Sequence, residues 1–230
     1  MFYHTNVVHD FFSNLGVTET DNQFTAYVNI PEHCNAFYSQ DTINFFQEGE
    51  YFGRECENTA LLSDIIYHEY AHGVTEDIIS IYFPYRDQPG NLNEAWSDYF
   101  AVTMNDNSCL SEGFFKNDPE RYCLRDTEND MRWPEDYHPE PHTASGIIAG
   151  ALWDLRQELG AEVVDMLTIQ AMRLQPRTFR DFLDNVVIVD DDNGNLEDGT
   201  PHLNEICQAF RENHGVPSVY CGDEPDPEYI

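Results

Sequence analysis

Leu61, Ile65, His68 and His72 fall on one stripe of a helix, because side chains three or four residues apart share a helical face. No other feature constrains the fold as strongly. Two imidazoles on an apolar stripe point inward with it, so the surrounding core must offer them hydrogen-bond partners or a metal ion. Thr59 stands where a helix N-cap belongs. Within HEYAH, residues 68 to 72, the two histidines are four apart and Glu69 lies beside them, a spacing that lets both rings bind one ion. A zinc ion with three protein ligands keeps a fourth position for water and lowers its pKa, and a nearby carboxylate can then take the proton. A plain helix with two buried, hydrogen-bonded histidines fits the same five residues.

The third ligand must come from elsewhere, and NEAWSD at 93 to 98 offers Glu94. Asn93 adjoins it. Asp98, one turn later, is placed to accept a hydrogen bond from the second nitrogen of a ligand histidine and so fix its tautomer. A solvated acidic face is the competing reading in so acidic a chain, but Trp96, Tyr99 and Phe100 argue against full exposure.

The 230 residues suffice for one substantial core or for two lobes. Forty-three acidic residues face 11 basic ones, a formal net charge of -32, which disfavours nucleic acid and anionic membranes as partners. Ten of the basic residues are arginine and Lys116 is the only lysine, a bias that fits either adaptation to salt or an ordinary acidic secreted protein. There is no apolar run of about 18 residues and no signal-peptide pattern at the start. The aromatic-rich opening suggests a processed portion of a longer precursor. Cysteines at 34, 56, 109, 123, 207 and 221 include no Cys-x-x-Cys pair, which argues against cysteine-ligated zinc and for disulfides in an oxidising compartment. Pairing in sequence order is expected, since each pair then brackets one loop or helix end.

Along the chain, Val8, Phe11, Phe12 and Leu15 mark a first helix closed by Gly16, and Phe24, Ala26, Val28 and Ile30 alternate as a strand does. Ile43, Phe45 and Phe46 form another β-like run. Pro84, Pro89 and Gly90 are expected to break the chain before a helix starting near Asn93. Residues 105 to 141 read as long ordered loops. Further helices run to Gly160, from Val163 to Met172, and onward from a Thr178 cap, and Thr200 with Pro201 should open a last helix ending at Gly215. The division expected is a mixed N-terminal lobe, residues 1 to 76, a helical lobe, 77 to 222, and a loose acidic tail, 223 to 230.

FYHTNVVHDFF at the start, CNAFY at 34 to 38, HEYAHGV at 68 to 74, NEAWSD, LRD at 124 to 126, HTASGI at 142 to 147 and ICQAF at 206 to 210 occur in one order. In that order the chain resembles the thermolysin-like zinc metallopeptidases, the gluzincins, and is similar to their fungalysin-like relatives. The resemblance implies an α+β, zincin-like, two-lobe catalytic domain with the active-site cleft between the lobes. It implies zinc on His68, His72 and Glu94, Glu69 as general base, and Asn93 and Asp98 behind the ligands. Asn35 and the Ala36 carbonyl would align substrate along an edge strand, Arg125 would bind the substrate carbonyl beyond the cut, and His142 would hydrogen-bond the oxyanion. Tyr82 and Tyr85 are the candidates for an assisting tyrosine. Calcium on Asp64, Asp106 and Glu112 is a secondary expectation. The spacing from His72 to Glu94 and the loop after 105 depart from the family pattern.

The function expected is a secreted, extracellular, monomeric zinc endopeptidase made with an N-terminal propeptide and acting on peptides or proteins. An aminopeptidase with the same ligands would need a carboxylate cluster for the substrate amine. A binding module retaining the fold would have no need of Glu69, Arg125 and His142 together.

Overall fold

The computed structural model describes residues 1–18, 23–79, 84–118, 120 and 122–223. It is an α+β chain of two compact units: Met1–Ile78 with Ser97–Glu128, and Ile79–Trp96 with Asn129–Ile230. A single boundary after residue 76 does not describe this division, because Ser97–Glu128 groups with the N-terminal residues. Asp64 accepts the Ser111 hydroxyl at 3.3 Å, and the backbone of Lys116 donates to Glu55 at 2.8 Å; both bonds tie that segment to the first unit.

In the first unit, helix α1 (Phe2–Asn14) buries Val8 and Phe12 and yields to Gly16 in the left-handed region, φ 76°, where glycine meets no Cβ penalty. Strands β1 (Thr25–His33), β2 (Ala36–Ser39) and β3 (Thr42–Gln47) form a sheet ordered β1-β3-β2, with β1 parallel and β2 antiparallel to β3. The central strand carries the buried Ile43, Phe45 and Phe46. Alternation in β1 marks a strand as expected, yet it does not mark a half-buried one: Tyr27 and Val28 are both exposed. β4 (Gly49–Tyr51) and β5 (Arg54–Cys56) make a hairpin.

Helix α2 (Ser63–Ile78) carries the histidines. Thr59 does not cap it. That residue opens a separate 3-10 turn capped by Asn58, and its buried hydroxyl lies within bonding distance of the carbonyls of Asn35 and Phe46, so the α-helix starts four residues later. Gly73 lets α2 approach Phe24, whose ring would stand 2.5 Å from any Cβ there. Helix α3 (Asp87–Asn105) begins well before Asn93 and includes Pro89 and Gly90. Proline is tolerated in a first helical turn because its missing N–H would have no intrahelical partner there. Between Asp106 and Glu140 the described residues are irregular apart from the short pair β6 (Cys109–Leu110) and β7 (Arg125–Asp126).

The second unit holds α4 (Pro141–Leu159), α5 (Ala161–Arg173), α6 (Phe179–Asp190) and α7 (Leu203–Cys207). Gly160, at φ 85°, separates α4 from α5. Thr178 caps α6 in a full capping box with Asp181. Thr200 does not open the last helix: its hydroxyl donates to Asp190 at 2.7 Å, and the helix starts at Leu203 and widens into a π-turn over Gln208–Asn213. The disulfides join Cys34 to Cys56, Cys109 to Cys123 and Cys207 to Cys221, the order expected. No described helix is long and apolar enough to cross a membrane.

Candidate metal centre

The ring Nε2 atoms of His68 and His72 face each other 3.1 Å apart on α2. Their Nδ1 atoms turn towards α3, where consecutive residues receive them. Asp98 Oδ1 stands 2.8 Å from His68 Nδ1, and Ser97 Oγ stands 3.0 Å from His72 Nδ1. Each partner can accept an Nδ1–H, which leaves the Nε2 lone pair for an ion. Glu94, one turn earlier on the same continuous helix, is fully buried, and one atom each from His68, His72 and Glu94 lie within 4.8 Å of one another.

Two imidazole nitrogens and a carboxylate are a zinc donor set, and two nitrogens on one tetrahedral zinc would stand roughly 3.3 Å apart. The donors therefore fit the ion in type and spacing. Among the described residues this is the one such group of potential ligands.

Asp98 is buried against Arg125, which reaches it through Nε at 2.7 Å and a terminal nitrogen at 2.6 Å. Burial alone would raise the Asp98 pKa, but the Arg125 charge and the bond to His68 outweigh it and hold the carboxyl below its ordinary value. Arg125 thus sits against the histidine-holding carboxylate, with about a quarter of its side chain exposed. Glu69 is buried on α2 between the two histidines.

In the second unit His142, the second residue of α4, has its Nδ1 2.8 Å from Glu140 and its Nε2 3.4 Å from Glu94. The Tyr85 hydroxyl donates to the other Glu94 oxygen. Tyr82 lies outside the described residues. Glu140 also accepts the Thr143 hydroxyl at 2.6 Å; burial works to raise its pKa, and these bonds from Thr143 and His142 bring it below the usual value.

Sequence reasoning missed Ser97 and Glu140. Both were visible in the chain, one within NEAWSD and one two residues before His142, but a partner for a ring nitrogen is recognisable only once the rings are oriented. Asn35 immediately precedes Ala36, the first residue of β2, and β2 is a sheet edge. Of the three carboxylates considered for calcium, Asp64 accepts from Ser111 and Glu112 accepts from Asn107 and Tyr122, while Asp106 is exposed.

The precursor of protealysin, a metalloproteinase from Serratia proteamaculans, superposes with a TM-score of 0.79 over 94% of this chain and 77% of its own, at 20% identity. The chain therefore shares the fold of that metalloproteinase. In sequence, the chain is similar to extracellular elastases of Staphylococcus epidermidis, one of them from strain ATCC 12228 / FDA PCI 1200, each 26% identical over 204 residues. That match covers 79% of the chain and 39% of the relative, so the chain spans about two fifths of the curated proteins it matches. No protein-family model matches the chain.

Proposed function

We propose that the protein is a secreted zinc endopeptidase that hydrolyses peptide bonds inside extended polypeptides. The observation that carries this reading is the pair of consecutive residues on α3, Ser97 and Asp98, each turned to the Nδ1 of one α2 histidine while both Nε2 atoms face one point. A merely structural pair of buried histidines needs no such shared focus.

His68, His72 and Glu94 would hold zinc, which when bound acidifies a water molecule and polarises a carbonyl. Glu69, buried beside the ligands and not one of them, would take the proton from the attacking water and pass it to the departing amine. His142, with Nδ1 at Glu140, would offer its Nε2–H, when protonated, to the negative charge growing on the carbonyl oxygen, and Tyr85 lies beside it for the same task. Arg125, already bidentate on Asp98, would bind the next substrate carbonyl, and Asn35 and Ala36 would align the substrate on β2. An N-terminal propeptide in the precursor belongs to the same proposal, as does an extracellular setting; the relatives are named as a precursor and as extracellular.

Glu69→Gln tests the reading. The variant keeps size and hydrogen bonding and removes the base, so zinc content and folding should persist while turnover of an unfolded protein substrate falls by about 10² to 10⁴. Equal inertness of wild type and variant, with zinc and peptide bound by both, would turn the reading into that of a binding module.

A further inference from the structure

The β4–β5 hairpin ends in an exposed aromatic pair. Tyr51 is 60% and Phe52 88% exposed, and their rings meet edge to face at 4.5 Å. Phe52 and Gly53 both adopt left-handed backbone, φ 51° and 78°, the two-residue hairpin turn that favours Asn-Gly. A phenylalanine is a poor occupant of such a position: its Cβ crowds the following carbonyl, and its ring stands in water. Strain of this kind persists where the surroundings enforce it, and it is a pointer to function.

The surroundings do enforce it. Lys116 Nζ bridges Glu48 at 2.8 Å and Glu57 at 3.2 Å, either side of the hairpin. The backbone of Glu57 donates to Phe114 at 2.9 Å, Arg54 lies over the Phe115 ring at 5.6 Å, and Cys56 is bonded to Cys34. The tip is therefore held out on a stiff support rather than waving on a loose loop.

The same disulfide fixes where the hairpin stands. Cys34 immediately precedes Asn35 and lies two residues before Ala36, the start of β2, and its Cα is 5.4 Å from that of Cys56, where the hairpin ladder closes against Gly49. A peptide paired antiparallel with β2 leaves the sheet past Ala36 with its C-terminal residues leading, towards Cys34 and the hairpin base. At about 3.3 Å per residue, the tip is within reach of roughly two to four further residues. We infer that Tyr51 and Phe52 form a binding point for an apolar side chain in the C-terminal part of an extended peptide substrate lying on β2. This rests on the proposed peptidase reading for the identity of the occupant.

The test separates turn chemistry from binding. Phe52→Asn places a favoured residue in the turn, so thermal stability should hold or rise. Affinity is read by fluorescence polarisation in the Glu69→Gln background, which prevents cleavage, with a labelled short peptide and the same peptide lengthened at its C-terminus by a leucine-containing segment. The lengthened peptide should bind Phe52→Asn about 3- to 10-fold more weakly, the effect of losing one aromatic contact, and the short peptide should not distinguish the proteins. Equal affinities of the lengthened peptide, equal losses for both peptides, or binding of neither would overturn the inference. Whether the wild type digests protein at all is a separate measurement, so failure of the peptidase reading and failure of the hairpin role are read apart.

Discussion

The hydroxyl of Ser97 is a neutral acceptor for one imidazole where Asp98 supplies a charged one for the other. The two histidines are thus supported unequally. Ser97→Ala removes the fixed tautomer of His72 without leaving a buried charge, and zinc affinity, measured by competition with a chromogenic chelator, should fall about 10- to 100-fold. Ser97→Thr keeps the hydroxyl and should restore most of it; an alanine variant that binds zinc as tightly as wild type would show that the contact is idle. At this scale the proximity of His68, His72 and Glu94 was legible, because an i, i+4 histidine pair on an apolar stripe has few uses. Arg125 was legible as a residue, but its bidentate seat on Asp98 was not, since nothing in the linear order of 98 and 125 says that their side chains meet.

Helix identity could be read from periodicity, whereas several boundaries could not. Thr59 and Thr200 have the residue type of an N-cap, yet the hydroxyl of Thr59 lies against the carbonyls of Asn35 and Phe46 and that of Thr200 is bonded to Asp190. A cap is a competition among acceptors, and the winner depends on tertiary neighbours. Pro89 misled for a related reason, as a breaker inside a helix is harmless in its first turn. The disulfides were legible because each closes a short segment. Cys34–Cys56 joins the approach to the edge strand to the hairpin, and replacing both cysteines with serine should lower unfolding free energy by about 2–4 kcal/mol in denaturant titration. A loss confined to a few tenths of that would mean that Lys116 and the Phe114–Phe115 contacts already hold the hairpin.

A net charge of -32 on 230 residues sets a condition on the molecule as a whole. Like charges repel across its surface, and raising salt from 0.1 M to 1 M shortens the screening length from about 10 Å to about 3 Å. Melting temperature should rise over that interval in calorimetry; an unchanged transition would leave the acidic surface without a part in salt tolerance. The charge total was plain from composition, but the scarcity of lysine takes on meaning only with the fold. Because Lys116 is both the only lysine and the bridge between Glu48 and Glu57, amine-directed conjugation has one side chain to find. Any dye, tether or cross-linker attached there replaces the ammonium that pins the hairpin, so a label meant to be passive would loosen the aromatic tip at its root.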